Sequence, residues 1–369
     1  MIPQPAFTIE PWRIHETRLD LDLLGQTESL FALSNGHIGV RGTFDEGEPF
    51  GLMGTYLNSL YELHPFPVAE LAYGSPESRQ TIINVTDGKL IRLLVDDEPF
   101  DVRYGTLESH GRDLDLRDGV LRRRVRWTSP AGRTVMITST RLVSFTQRAI
   151  MAISYEVTPV DAPVRAVLQS ELVANEAPPD LSHDPRSGSA LTSPLESEEH
   201  MAQGAGGLLI HHTHTSFLRV GAAMDHDIMG PAATSVTSES TAHVARVTAT
   251  ARLMPGESLR LVKFVAYGWS SQRSRPAIHD QIIAALAAAR STGWDGLLAE
   301  QRAFLDDFWM QADVVVDGDP AIQQAVRFAL FEILQASARG ERRPIPAKGL
   351  TGPGYEGHTF WDSEIFVLP

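Results

Sequence analysis

From about residue 30 to residue 268 the chain keeps producing short runs of β-branched and aromatic residues, each bounded by clusters of Gly, Pro, Asp and Asn, with no helical period between them. That pattern confines the fold to antiparallel sheets stacked as a large sandwich, because strands without interleaved helices lack the crossovers that parallel pairing needs. Leu90 to Val95 ahead of the turn-like Asp96-Asp97-Glu98-Pro99, Thr134 to Leu142, Ala149 to Val157 and Ser216 to Met224 are such runs. Ala242 to Leu253 and Ser258 to Tyr267 read as a hairpin across Met254-Pro255-Gly256-Glu257. Glu176 to Gln203, rich in Pro, Ser, Asp and Glu, reads as a long exposed loop.

After Ser274 the period changes. Ala277 to Arg290 and Leu297 to Trp309, the latter with Leu298, Phe304, Leu305 and Phe308, have helical spacing and read as connector helices. Asp319-Pro320 supplies an N-cap and a proline at the first helical position. Ile322, Ala325, Val326, Ala329, Leu330, Ile333 and Leu334 then form one apolar stripe, widened by Phe328 and Phe331, with Gly340 as the natural stop. So broad a face calls for partners on more than one side. The expected organisation is a β-sandwich over 1–268, a helical linker over 269–316, and from 317 to 369 the start of a helical domain that one helix and the beginning of another cannot complete.

Composition narrows the function. With 369 residues the chain is long enough for two domains, and its 43% hydrophobic and 21% charged residues are ordinary for a soluble protein. A formal net charge of −14 repels phosphate backbones and anionic lipid, so nucleic acid and membrane surfaces are not expected partners. The basic run Leu121-Arg122-Arg123-Arg124-Val125-Arg126-Trp127 does not change this, since arginines 122, 124 and 126 alternate onto one solvated strand face. The absence of cysteine excludes disulfides, thiolate catalysis and cysteine metal sites. Met1-Ile2-Pro3-Gln4-Pro5 lacks the basic and apolar regions of a signal peptide, and no stretch reaches ~18 uninterrupted apolar residues, which makes the cytoplasm the expected compartment. Without secretion the Asn84-Val85-Thr86 sequon carries no meaning.

The stretch most suggestive of chemistry runs from Ile345 to Asp362, where a Gly/Pro-rich loop is interleaved with polar and aromatic groups. A tryptophan face packs against the C–H side of a sugar ring and a carboxylate accepts hydrogen bonds from neighbouring hydroxyls, so Trp361 and Asp362 together suit a pyranose. The same pair also fits a buried tryptophan beside a helix-starting aspartate, and the pair alone does not decide. Gly352-Pro353-Gly354-Tyr355-Glu356-Gly357 formally matches G-x-G-x-x-G, but Arg343-Pro344-Ile345-Pro346 breaks any preceding strand and no βαβ unit surrounds it. His211, His212 and His214 could suggest zinc, yet the pleat puts His212 and His214 on one face and His211 on the other, with no third ligand, so a metal site is not expected. Near the N-terminus Asn35-Gly36 signals a turn, and Gly39 and Gly42 imply close backbone approach. This region reads either as the wall of a cleft or, more simply, as a sandwich edge docked on the helical part.

At these two regions the sequence resembles glycoside hydrolase family 65, which includes maltose, trehalose and kojibiose phosphorylases. Leu33-Ser34-Asn35-Gly36, Val40-Arg41-Gly42-Thr43, Gly318-Asp319, Gln324-Ala325-Val326-Arg327-Phe328, Gly349-Leu350-Thr351-Gly352 and Gly357-His358-Thr359-Phe360-Trp361-Asp362-Ser363-Glu364-Ile365-Phe366 carry the resemblance, which spans the chain. It implies an N-terminal β-sandwich (a super-sandwich), a helical linker and an (α/α)6 catalytic barrel, of which this chain holds a truncated start. It further implies that Trp361 and Asp362 bind the glucosyl ring, while the general-acid glutamate and the phosphate-binding residues lie beyond Pro369. No catalytic residue and no metal ligand is therefore expected in this chain. Glu364, two residues past Asp362 and roughly 200° around a helix, is expected to point away from a sugar pocket. The implied reaction is inverting phosphorolysis of an α-glucosyl disaccharide to β-glucose 1-phosphate and glucose, with inorganic phosphate as co-substrate and no cofactor. A trehalase-like family hydrolase and a non-catalytic carbohydrate-binding fragment are the alternatives. The disaccharide linkage, a homodimer and a complementing C-terminal chain stay open.

Overall fold

The computed structural model describes residues 6–65, 77–176, 191–337 and 342–367, the side chains of Glu364 and Phe366 excepted. Two antiparallel sheets form the sandwich. Among the described residues, the larger sheet orders ten strands as Phe7–Glu10, Arg13–Glu16, Thr106–Asp115, Val120–Thr128, Thr134–Val143, Ile150–Pro159, Leu259–Ser270, Arg219–Met229, Gly206–Thr213 and Leu195–Gln203. The smaller orders five, Ser235–Ser240, Val244–Leu253, Val164–Val173, Ile91–Val95 and Glu98–Pro99. The sheets face each other across one apolar core, and side chains of Leu259–Ser270 cross it: Lys263 Nζ donates to the carbonyls of Leu90 and Glu171, and the Tyr267 hydroxyl donates to that of Thr86.

Strand chemistry follows position in this stack. Val244–Leu253 covers the core on one face only, so Ala245, Val247, Ala249, Ala251 and Leu253 are buried and the residues between them are more exposed. Leu259–Ser270 is apolar on both faces because its second face lies under a helix, α2 (Arg275–Ala312; α1 is Leu24–Leu30). Ile282, Leu286, Ala289 and Leu297 of α2 pack on Val262, Phe264 and Ala266. The two expected connector helices are both present within α2, and the break between them falls at Gly293, whose backbone is not helical and whose φ of 72° suits glycine. The arginines also sort by the pleat: 122, 124 and 126 face outward, while Arg123 is buried against Glu46 at 2.6 Å.

Four expectations about the elements need correction. Val244–Leu253 and Leu259–Ser270 are not a hairpin: they belong to different sheets, and Met254 to Glu257 carry the chain across from one to the other. A one-face-buried strand followed by one buried on both faces marks such a change of layer. The turn before Glu98 is only Asp96-Asp97, both left-handed at φ 49° and 70°, and Glu98–Pro99 is the return strand. Of the expected loop, Leu195–Gln203 is an edge strand paired with Gly206–Thr213, and its polar composition reflects that exposed edge. Residues 177–190 of that loop lie outside the described residues.

The fourth correction concerns α3 (Pro320–Ala336). Its start is as expected, with the Asp319 carboxylate accepting from the amides of Ala321 and Ile322. Its most buried positions include Leu334 of the expected stripe and Phe331 that widens it, but the others are Gln323, Arg327 and Gln335, while Ile322 and Ile333 of the stripe are 51% and 38% exposed. The first half of α3 lies against Phe7–Glu10, Arg13–Glu16 and the segment 313–316, whose backbone groups need polar partners. Gln324 Nε2 donates to the carbonyls of Thr8, Glu10 and Arg13, and Gln323 bridges Val314 and Val316. Arg327 forks onto Asp313 and lies 3.7 Å from the Trp12 ring centre. Gly340, the expected stop of this helix, lies outside the described residues, and so does Pro369, past which the resemblance puts the general acid. Among the described residues, no helix is long and apolar enough to cross a membrane.

Candidate functional site

The loop from Pro344 to Thr359 is held against the N-terminal segment by a set of specific contacts. Asn35 shapes its own turn by accepting from the amides of His37 and Ile38, and its Nδ2 donates to the carbonyls of Ser144 and Arg148. Beyond the turn, a Cβ added to Gly39 would stand 2.1 Å from Leu350 Cβ, so only glycine lets the loop seat there. Arg41 donates to the carbonyls of Leu52, Gly25 and Thr351, and Asn58 Nδ2 donates to that of Pro344 at 3.0 Å. The Tyr61 hydroxyl donates to the Gly357 carbonyl at 2.6 Å. Arg79 pairs with Glu356 at 3.0 Å, and this engages one of the carboxylates near Phe360-Trp361-Asp362 in holding the loop.

The loop contains a short strand, Ala347–Leu350, where the prolines had argued against one. It precedes no phosphate-cradling helix: Tyr355 and Glu356 adopt left-handed φ values of 54° and 56° in a single 3-10 turn, Gly354–Gly357. The G-x-G-x-x-G match is therefore a loop clamp rather than a dinucleotide fingerprint. The three histidines part as the pleat requires. His211 is buried and stacks on His243 at 5.4 Å, whereas His212 Nε2 meets Glu196 at 3.0 Å on the outer face that His214 shares.

Between this loop and the C-terminal end of α3 lies a cavity of about 340 Å³. Ser34 comes from the strand Leu33–Ser34, Glu332 and Gln335 from α3, Lys348 and Thr351 from the loop, and Asp362 from the residue preceding α4 (Ser363–Val367). Asp362 thus lines the cavity, while Trp361 is 91% exposed and outside its wall. The Glu364 side chain lies outside the described residues.

Sequence reasoning did not single out Gln335 and Glu332. Gln335 Oε1 accepts the Ser34 amide at 2.7 Å, which fixes the side-chain amide so that Nε2 donates to Glu332 Oε1 at 2.8 Å. Burial pushes the Glu332 carboxyl up to about 8, opposed by the hydrogen bond from Gln335. The available signal was a lone carboxylate within Phe328-Ala329-Leu330-Phe331-Glu332-Ile333-Leu334, where the apolar period leaves no reason for one. The arrangement presents hydrogen-bonding groups of both senses around a space suited to a small polyhydroxylated ligand.

Comparison with known proteins agrees with this architecture. The glycosyl hydrolase family 65 N-terminal domain matches residues 14–308, and the family's central catalytic domain matches 327–369. An uncharacterized glycosyl hydrolase of Mycobacterium leprae is 58% identical over all of this chain and 47% of its own length. The α,α-trehalose phosphorylase of Thermoanaerobacter brockii is 34% identical over 99% of this chain and 48% of itself, and the kojibiose phosphorylase of Escherichia coli 28% identical over 97% and 45%. A solved human-microbiome structure assigned as a kojibiose phosphorylase superposes with a TM-score of 0.88 at 24% identity, covering 98% of this chain and 47% of that one, which shows a shared fold. The chain spans about half the length of these relatives. With its sandwich, linker helix and docked loop matched over nearly their whole extent, the chain belongs to glycosyl hydrolase family 65.

Proposed function

We propose that this chain provides the N-terminal sandwich and the first part of the sugar pocket of an inverting phosphorylase of α-glucosyl disaccharides, among trehalose, maltose and kojibiose. The observation that carries the reading is the cavity where Asp362, next to the exposed Trp361 indole, meets polar groups from α3 and the clamped loop. The names of relatives that align over the whole chain support the substrate class. In this reading Asp362 accepts from glucose hydroxyls and the Trp361 face covers the ring when substrate is bound.

The chemistry asks little of the chain's own carboxylates. Phosphate is already an anionic nucleophile, so phosphorolysis needs an acid for the leaving oxygen and no base to activate water. The Pro344 to Thr359 clamp positions sugar-binding groups, and the acid is not assigned to any residue up to Pro369. Since a missing general acid forfeits ~100- to 10,000-fold in rate, the 369-residue chain alone is expected to release no glucose 1-phosphate. Incubation with trehalose, maltose or kojibiose plus phosphate tests this: glucose 1-phosphate release refutes the assigned inactivity, and phosphate-independent glucose release marks a hydrolase instead. Calorimetric titration with glucose tests the pocket, and binding unaffected by Asp362→Asn would remove its basis.

A further inference from the structure

Among the described residues, Glu332 is a carboxyl group without a cation: it makes no ion pair and one hydrogen bond, from Gln335 Nε2 to Oε1, which leaves Oε2 unengaged. The Ser34 amide holds that glutamine in one orientation, so the two carboxyl oxygens are not equivalent. Glu332 lines the cavity that Asp362 also lines.

We propose that Glu332 is a sugar-binding residue of this cavity, held as a neutral acid whose Oε2–H donates to a ligand hydroxyl while Asp362 accepts from another. The inference rests on the reading of the cavity as a sugar pocket. A hydroxyl both donates and accepts, and a wall with one acid donor and one carboxylate acceptor matches two neighbouring hydroxyls of a pyranose better than two like carboxylates would. Burial supports the neutral form by pushing Glu332 up to about 8. The charged groups that share its cavity are Lys348, from the strand Ala347–Leu350, and Asp362; neither pairs with Glu332, and Ser34 across from it is uncharged. Above about 8 the donor is lost and a second negative charge faces Asp362.

Glucose titrated calorimetrically into the 369-residue protein from about pH 6.5 to about pH 9.5 reads the effect on the scale of one hydrogen bond, about three- to tenfold. Wild-type affinity falls by that factor as pH passes about 8. Glu332→Gln keeps a donor and removes the dependence, whereas Glu332→Leu weakens binding about three- to tenfold at the acid end, with the thermal midpoint recorded to confirm folding. A flat wild-type profile, or an unchanged slope in Glu332→Gln, overturns the proposal. If Asp362→Asn abolishes binding while both Glu332 variants behave as wild type, the role of Glu332 falls and the pocket stands. If glucose does not bind the wild-type protein at all, the pocket reading falls and Glu332 with it.

Discussion

His226 makes two hydrogen bonds that suit a neutral imidazole: Nδ1–H donates to the Ala205 carbonyl at 2.5 Å and Nε2 accepts from the Ser170 hydroxyl at 2.8 Å. Burial, followed by the nearby Lys263 ammonium, lowers its pKa to about 3. The unfolded imidazole takes up a proton below about 6.5 and the folded one does not, so stability is present above that value and is lost as pH falls from about 6.5 toward about 3. The slope is at most about 1.4 kcal/mol per pH unit for this one group. Urea midpoints at about pH 7 and pH 5 should converge in His226→Asn relative to wild type, with the variant less stable at the higher pH. Residues of this kind are hard to read from sequence. Asn35-Gly36 was legible because a turn depends on its own neighbours, whereas His226 and Glu332 depend on groups far along the chain.

At the scale of the element, α3 shows what local period can and cannot predict. The Asp319-Pro320 start was readable because capping is local. The polar part of the buried face was not, since Gln324 and Arg327 reach backbone carbonyls of the N-terminal segment more than three hundred residues away. Arg327→Leu would leave Asp313 without its fork and remove the contact with Trp12, costing roughly 1.5–3 kcal/mol; chemical denaturation reads the loss. Gly39→Ala forces its Cβ into Leu350 and should unseat the loop, which limited proteolysis would detect as faster cleavage between Pro344 and Thr359. The glycine itself was legible as a close approach, but what approached it was not.

For the whole molecule, the sandwich was legible because strand runs and their punctuation are frequent and regular, while the assignment of strands to sheets was not, because neighbouring strands can pair or change layers through the same turn residues. The exposed side of α3 with Ile322 and Ile333, together with Trp361 and Ile365 at 91% and 67% exposure, leaves apolar surface uncovered. The isolated chain should therefore bind a fluorescent hydrophobic dye and self-associate at rising concentration, and Ile322→Ser with Ile333→Ser should reduce both without lowering the thermal midpoint. Leu259–Ser270 lies between Ile150–Pro159 and Arg219–Met229 in the larger sheet, although it is the last of its strands along the chain. During synthesis, the six described strands on one side and the three on the other have no shared hydrogen-bonded neighbour in that sheet until it emerges from the ribosome. It acts as a keystone: the domain closes late, through pairings distant in sequence, and a growing chain carries two unmated borders until then.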